Sequence, residues 1–427
     1  MSKRWINALQ NVTIALLFVL MVLLLLQGQG TGQKSISTFF QTITTAAAPG
    51  QTTGEAETAG RGIAPVRVVI TGSYGRCGYT QVTTHSEVYE SVGTLLSEAV
   101  GSAGTCAHVS APVFERALSG SGIYFDFVCA LPSELLFGRS LMGESGALSA
   151  VRRALLASSD EAQNASLYVE DEKQGLCVFS TAVSAATLND YLALAEEDNV
   201  SFAFELEDAQ RLEPYTVLPA QPPELFVLAA SNPIAVQSRI DAVLDTLDFN
   251  PHTQSRYTET SGASVILGDD RSLRIHPNGT VRFEGTADDP CALLRVDTVS
   301  EAPTLSEAAN VCRVLLETLL AAAGTQTQIY LCDVVQEGRA IRFTFDYMID
   351  GTPLHFSDGS RAAELTIEGN CVTRFSLRMR NYVPQAEIAQ LLPVAQVLPI
   401  AEHYGRSEPS ICYLDGGERV SADWIGE

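Results

Sequence analysis

The chain has 427 residues, 46% of them hydrophobic and 18% charged, a globular composition on a length beyond one ordinary core. Fifty acidic residues against 27 basic ones leave a net charge of −23, and Lys3, Lys34 and Lys173 are its only lysines. No basic stripe exists to neutralise a phosphate backbone, so a nucleic-acid partner is not expected.

The first informative element is "VTIALLFVLMVLLLL", Val12 to Leu26, preceded by Lys3 and Arg4 and uncharged until Lys34. Fifteen helical residues reach about 22 Å, short of a hydrocarbon core of about 30 Å. Counted from Trp5, the helix reaches about 33 Å and spans it. Trp5 then sits at the inner interface beside the positive charges. This predicts a transmembrane helix over 12–27, or from residue 5, with a short cytoplasmic tail over 1–11. Trp5, Val12, Leu16, Leu20 and Leu26 are its anchoring residues. A cleavable signal meets the same requirements, with Gly28 and Gly30 as small residues before a cut. Both alternatives place the bulk of the chain outside the cytoplasm. Residues 28–64, rich in Thr, Gly, Gln and Ala, read as a flexible tether.

An N-terminal α+β domain is expected over 65–230. "VRVVITG" is a strand ending at glycine. "HSEVYESVGTLLSEAVGSAG" is a helix with Ser86 as N-cap, an apolar face of Val88, Val92, Leu95, Leu96 and Ala99, and a stop at Gly101. "GIYFDFVCALP" is a strand closed by Pro132. The spacing of Leu148, Val151, Leu155 and Leu156 predicts a second helix. "SLYVEDEKQGLCVFST" predicts a hairpin turning at Lys173 to Gly175, and "TLNDYLALAEED" a third helix. The proline-rich "PAQPPE", 219–224, is the best internal boundary signal.

A C-terminal α+β domain is expected over 231–427. "NPIAVQSRIDAVLDTLDFNP" is a helix with Ile240, Val243, Leu244 and Leu247 inward. A meander over 263–284 follows, with Asn278-Gly279 as a tight turn, since both residues tolerate positive φ. The helix over 304–323 has Thr304 and Glu307 as a capping box, an apolar stripe from Leu305 to Leu319, and Gly324 as its stop. Strands fill 328–380, with Ile341, Phe343, Phe345, Tyr347 and Ile349 alternating against polar partners. A helix is predicted to open at Pro384, and a terminal strand over 410–414 precedes the "YLDGGE" turn. Helices interspersed with antiparallel hairpins make the fold class α+β.

The chain shows no motif that names a reaction. The nucleophile elbow, the phosphate-cradling loop and the paired histidines of a metalloprotease are missing, and the six histidines stand singly. Asp269-Asp270 and "EEDN" at 196–199 lack the ligand spacing of a calcium loop and read as a turn and a solvated helix end. No catalytic, cofactor-binding or metal residue is therefore expected. None of the nine cysteines lies in a C-x-x-C pair, and Cys129, Cys312 and Cys332 sit in apolar patterns that suit buried free thiols.

Four stretches together carry a resemblance: the single span after a short basic tail; "VRVVITGSYGRCGYTQ" with "LLSEAVGSAG" and "GIYFDFVCALP"; "LDFNPHTQSRYTETSGASVILGDDRSLRIHPNGTVRFEG"; and "RFTFDYMIDGTPLHFSDGSRAAELTIEGNCVTRFSLRMRNY" with "CYL" and "ADWIG" at the end. The chain resembles the YycH/YycI-type regulatory proteins of Gram-positive bacteria, in a clostridial style. That resemblance implies a non-enzymatic, single-pass membrane protein with its bulk outside the membrane. It implies modulation of a two-component sensor histidine kinase controlling cell-wall metabolism, with the kinase and a related co-regulator as partners. The nine cysteines and the short cysteine-bearing C-terminal tail depart from the better-known members. The residues themselves leave two alternatives: an envelope ligand-binding or interaction module, and a cell-wall hydrolase whose site is assembled by folding.

Overall fold

The computed structural model describes residues 63–426, apart from residue 74, 81–85, 145, 159–162, 194–198, 253–254, 289–290 and 299–302. These residues belong to one compact unit, 51–427. The expected membrane helix, its anchoring residues Trp5, Val12, Leu16, Leu20 and Leu26, and the tether up to residue 62 lie outside the described residues. Among the described residues, no helix is long and apolar enough to cross a membrane.

The first sheet is built from β1 (Arg67–Gly72), β2 (Gly75–Thr80), β3 (Cys106–His108), β4 (Gly122–Leu131), β7 (Val151–Ala157), β8 (Asn164–Asp171) and β9 (Gly175–Ser184). Two-residue strands β5 (Met142–Gly143) and β6 (Gly146–Ala147) pair beside it. Its order is β2-β1-β4-β7-β8-β9-β3, antiparallel throughout. Helix α1 (Ser86–Gly101) lays Val92, Leu95 and Ala99 into the core, as its 3.6-residue period requires. Helices α2 (Ala111–Ser119), α3 (Ser133–Phe137) and α4 (Ala185–Leu192) complete this half. In α4 the Ser184 side chain accepts from Thr187 N, so the helix starts two residues earlier than its apolar pattern suggests.

The helix predicted around Leu148 to Leu156 is not formed; Val151–Ala157 is strand β7. β7 lies between β4 and β8 and is buried on both faces, so its sequence has no alternation to mark it as a strand.

The strands β10 (Val200–Phe202) and β11 (Val217–Pro219) pair as a small ribbon. The second sheet contains β12 (Phe226–Ser231), β13 (Arg256–Thr258), β14 (Ser264–Leu267), β15 (Ser272–Ile275), β16 (Thr280–Glu284), β17 (Gln328–Glu337), β18 (Ala340–Ile349), β19 (Thr352–Phe356), β20 (Ala363–Glu368), β21 (Cys371–Arg378), β22 (Asn381–Ile388), β23 (Pro409–Asp415) and β24 (Arg419–Gly426). Its order is β13-β14-β15-β16-β21-β20-β18-β19-β23-β24-β12-β22, with β17 also on β18. Only the β19–β23 pairing among these is parallel. In-register partners set one apolar row across it: Ile266, Leu273, Phe283, Phe375, Leu365, Phe343 and Val334. Helices α5 (Gln237–Thr246), α6 (Leu305–Ala322) and α7 (Val394–His403) accompany this sheet.

The segment predicted as a helix from Pro384 is instead strand β22, and the helix that follows starts only at Val394, after Pro393. β22 is an edge strand bonded to β12 alone, a position where a proline without an N–H removes no ladder bond. In β18 the expected alternation fails as well: Thr344, Asp346 and Met348 are buried along with Phe343, Phe345 and Tyr347. At the Asn278-Gly279 turn only Gly279 has positive φ, +90°, and Gly279 N–H donates to His276 O at 3.0 Å. A Cβ there would stand 2.7 Å from Met379 O, so space as well as φ requires glycine.

The capping box of α6 forms as its sequence specifies. Thr304 Oγ1 accepts from Glu307 N at 3.2 Å, and Glu307 Oε2 accepts from Thr304 N at 2.8 Å. Thr304→Ala is expected to lower stability by about 1 kcal/mol, read from urea unfolding midpoints. An unchanged midpoint would mean that tertiary packing alone holds this helix end.

Candidate functional site

A cleft of about 1210 Å³ runs between the two sheets, lined by β1, β4, β7 and β8 on one side and β17, β19, β23 and β24 on the other. Its floor is a row of alternating charge that the strand register creates. Arg67 on β1 faces Asp126 on β4, Asp126 faces Arg153 on β7, and Arg153 faces Glu170 on β8. Opposite charges directly across antiparallel strands attract, and this row joins four strands. Arg67 Nη2 stands 2.7 Å from Asp126 Oδ2, and Arg153 Nη1 stands 2.8 Å from Glu170 Oε2.

Arg153 is the hub, only 2% exposed although it is an arginine. Its Nη2 donates to Glu213 Oε2 at 2.7 Å and to Glu408 Oε1 at 3.1 Å. Arg152 Nη2 binds the other oxygen of Glu408 at 2.6 Å. Glu213 N–H donates to Ser407 O, so the loops carrying the two carboxylates run side by side. One planar guanidinium therefore ties together β7, β8 and two distant loops, a role its fixed fork of donors suits.

Burial shapes the protonation of the row. Desolvation opposes the Asp126 carboxylate, but Arg67 and Arg153 outweigh it and hold this carboxyl below its ordinary value. Glu213 is different. Burial pushes it up to about 7, and Glu170 and Glu408 add to that against the pull of Arg153. Its carboxyl would be about 4.5 when unfolded, so its folded value is raised. The protonated form is then the comfortable one. Its favourable contribution is full below pH 4.5 and is lost as pH climbs to 7. Glu213→Gln, neutral at every pH, should gain stability on the parent by about 1–3 kcal/mol between pH 4.5 and pH 8. Unfolding curves at the two pH values test this; a constant difference would refute it.

Behind the opposite wall lies Asp346 of β18, 1% exposed, paired with the cleft-lining Arg361. It accepts from Arg361 Nη1 at 2.6 Å and from Ala362 N at 3.1 Å, and His355 Nδ1 lies 4.0 Å away. Beside it lie Cys332 of β17 and Cys129 of β4. Cys129, expected as a buried thiol, is only half-buried and lines the cleft. Its strand leaves the ladder here: the register jumps from Asp126↔Arg153 to Leu131↔Val151. Within that jump Val128 has a φ of +64°, a strained conformation for a β-branched residue, held by an N–H bond to Asp126 Oδ1 at 2.8 Å.

Two further groupings resemble chemistry. Cys177 Sγ is 3.8 Å from His108 Nδ1, and Glu144 Oε2 is 3.8 Å from His108 Nε2. An activated thiol needs an exposed, electropositive setting. Cys177 is instead fully buried, and burial together with Cys106 pushes it up to about 12. A carboxyl near neutrality in a cleft, as at Glu213, is a general-acid prerequisite. Its Oε2 is taken by Arg153 Nη2 and by Tyr215 N–H, so that oxygen serves the scaffold. Asp269-Asp270 form the turn between β14 and β15. The "YLDGGE" stretch is the hairpin turn between β23 and β24, where Asp415 binds Arg380 through both oxygens at 2.8 Å. Glu196 to Asp198 lie outside the described residues. Among the described residues, no group of three acids, histidines or cysteines could hold a metal ion.

None of the residues lining this cleft stands in a motif legible in the sequence. Arg153 sits inside the apolar run "VRRALLA", and an arginine mid-way in such a run was the one local signal available.

Comparison with solved structures places this architecture. The crystal structure of YycH from Bacillus subtilis superposes with a TM-score of 0.54 at 12% identity, covering 88% of this chain and 95% of that one. The chain has a YycH-like fold. No protein-family model matches it, and no curated protein does.

Proposed function

We propose that the chain is a membrane-anchored extracytoplasmic regulator that modulates a two-component sensor histidine kinase controlling cell-wall metabolism. It acts by protein–protein contact, without catalysis, together with a related co-regulator. The observation that carries this is the breadth of the YycH-like fold, which extends over 95% of the YycH chain rather than one module of it. The resemblance of the sequence to YycH/YycI-type regulators, in a clostridial style, points the same way. So does the apolar run over 12–27 behind two positive charges, which would hold the chain as a single-pass protein with its N-terminus in the cytoplasm. The membrane helix is then a contact surface as well as an anchor. Exchanging residues 5–26 for an unrelated span should alter kinase output while the protein stays in the membrane. Unchanged output would remove helix contact from this account.

The cleft favours a second reading, an envelope module that binds a peptide or wall fragment between the sheets. A wall peptide that raises the melting temperature of the full chain and shields Cys129 from alkylation would support it. Wall fragments that do neither would leave regulation by contact alone.

A further inference from the structure

We propose that Cys129 and Cys332 are a modification site: they close into a reversible disulfide that fastens the first sheet to the second along the cleft wall.

Two independent backbone irregularities bring the thiols together. In β17 the register steps from Leu331↔Phe345 to Asp333↔Thr344, which leaves Cys332 as the extra, unpaired residue of a bulge. In β4 residues 127–130 leave the ladder, and Val128 is held at φ +64° immediately before Cys129. Bulges re-aim side chains, and a strained β-branched residue persists only where its surroundings fix it. Here both re-aimed side chains point to one place. Strand β4 packs on β17 across the two sheets, Cys129 and Cys332 are near enough to act on each other, and both line the cleft. The groups facing them are Arg361, Asp346 and Tyr330, with His355 beside Asp346.

The two cysteines divide the work by exposure. Cys129 is half-buried on the wall and is the one a small oxidant reaches; Cys332, 7% exposed, is the resolving thiol. The oxidant is a peroxide. The Cys129 thiolate attacks one peroxide oxygen, the O–O bond breaks, and the departing oxygen takes a proton to become water. Cys129 is then a sulfenic acid. Cys332 gives up its proton and attacks the Cys129 sulfur; the S–O bond breaks and a second water leaves. Two thiols have been oxidised by two electrons, and one peroxide has been reduced to two waters. A dithiol reductant reverses the step by becoming a disulfide itself.

The second contacting pair, Cys106 and Cys177, is an internal comparison. It lies within one sheet, on β3 and β9, where the register sets the two residues diagonally, Cys106 opposite Phe179 and Cys177 opposite His108. A bond there would tie no new elements together.

The test uses the full chain in detergent, treated with hydrogen peroxide, then denatured, alkylated and digested. The expected product is one fragment linking Cys129 to Cys332 within a chain, lost on reduction and absent from Cys129→Ser and Cys332→Ser. The melting temperature of the oxidised parent should exceed that of its reduced form, and the two variants should show no such difference. The variants' reduced melting curves, matched to the parent's, establish that they fold, and Cys129→Ala serves if the serine does not. Full alkylation of Cys129 and Cys332 after oxidation would overturn the proposal, as would a bond found only between chains or only at Cys106 and Cys177.

Discussion

Replacing Arg153 with alanine is expected to cost about 3–5 kcal/mol, the usual penalty for removing one partner of a buried ionic network. Glu170, Glu213 and Glu408 would be left facing one another, with Arg152 still on Glu408 alone. The network has little slack even in the parent, since the buried Nε groups of Arg67, Arg152 and Arg153 find no acceptor among the described residues. The cost should come from the stranded carboxylates and not from the lost side chain. Replacing Arg153 by methionine together with Glu170, Glu213 and Glu408 by glutamine should therefore recover most of it. Urea unfolding at neutral pH measures both. A loss under about 1 kcal/mol for Arg153→Ala would mean the row is a solvated surface feature.

Phe283→Ala should cost a similar amount, about 3–5 kcal/mol, for a different reason. Phe283 is 1% exposed and central in the apolar row of the second sheet. Its ring stacks on Phe375 at 5.3 Å and meets the edge of Phe249 at 6.4 Å. Truncation removes both ring contacts and leaves a cavity between β15 and β21 that the strands cannot close.

Local signals were legible in the sequence. The capping box of α6, the hairpin after Asp171 and the turn at Gly279 are written in residues a few positions apart, and each forms. What depends on register was not legible. No sequence pattern says that Arg67, Asp126, Arg153 and Glu170 will stand side by side, because that alignment is fixed by three strand pairings far apart in the chain. The same limit hid β7: Val151–Ala157 carries apolar residues on both faces because the sheet buries both, and a helical period fits so short a run equally well. At β22 Pro384 reads locally as a helix start, whereas the edge position that makes it harmless exists only once the sheet is assembled. In the sequence Cys129 and Cys332 look like two unrelated buried thiols; only the two bulges put them together.

An ionic hub ties the two sheets at the floor of the cleft, and the free thiols Cys129 and Cys332 stand on its wall where the proposed disulfide would tie them again. An envelope regulator whose partner reads the relative seating of the two sheets would be affected by both. Glu213 makes the floor sensitive to pH near neutrality, and the proposed disulfide makes the wall sensitive to oxidants.

The central proposal is regulation of a sensor kinase from an anchored position. Its most direct test is purification of the full-length chain from membranes, with mass spectrometry of the N-terminus and of the co-purifying proteins. An uncut N-terminal segment and a membrane histidine kinase in the complex are the expected result. A chain cut after Gly30 and recovered without any kinase would contradict it.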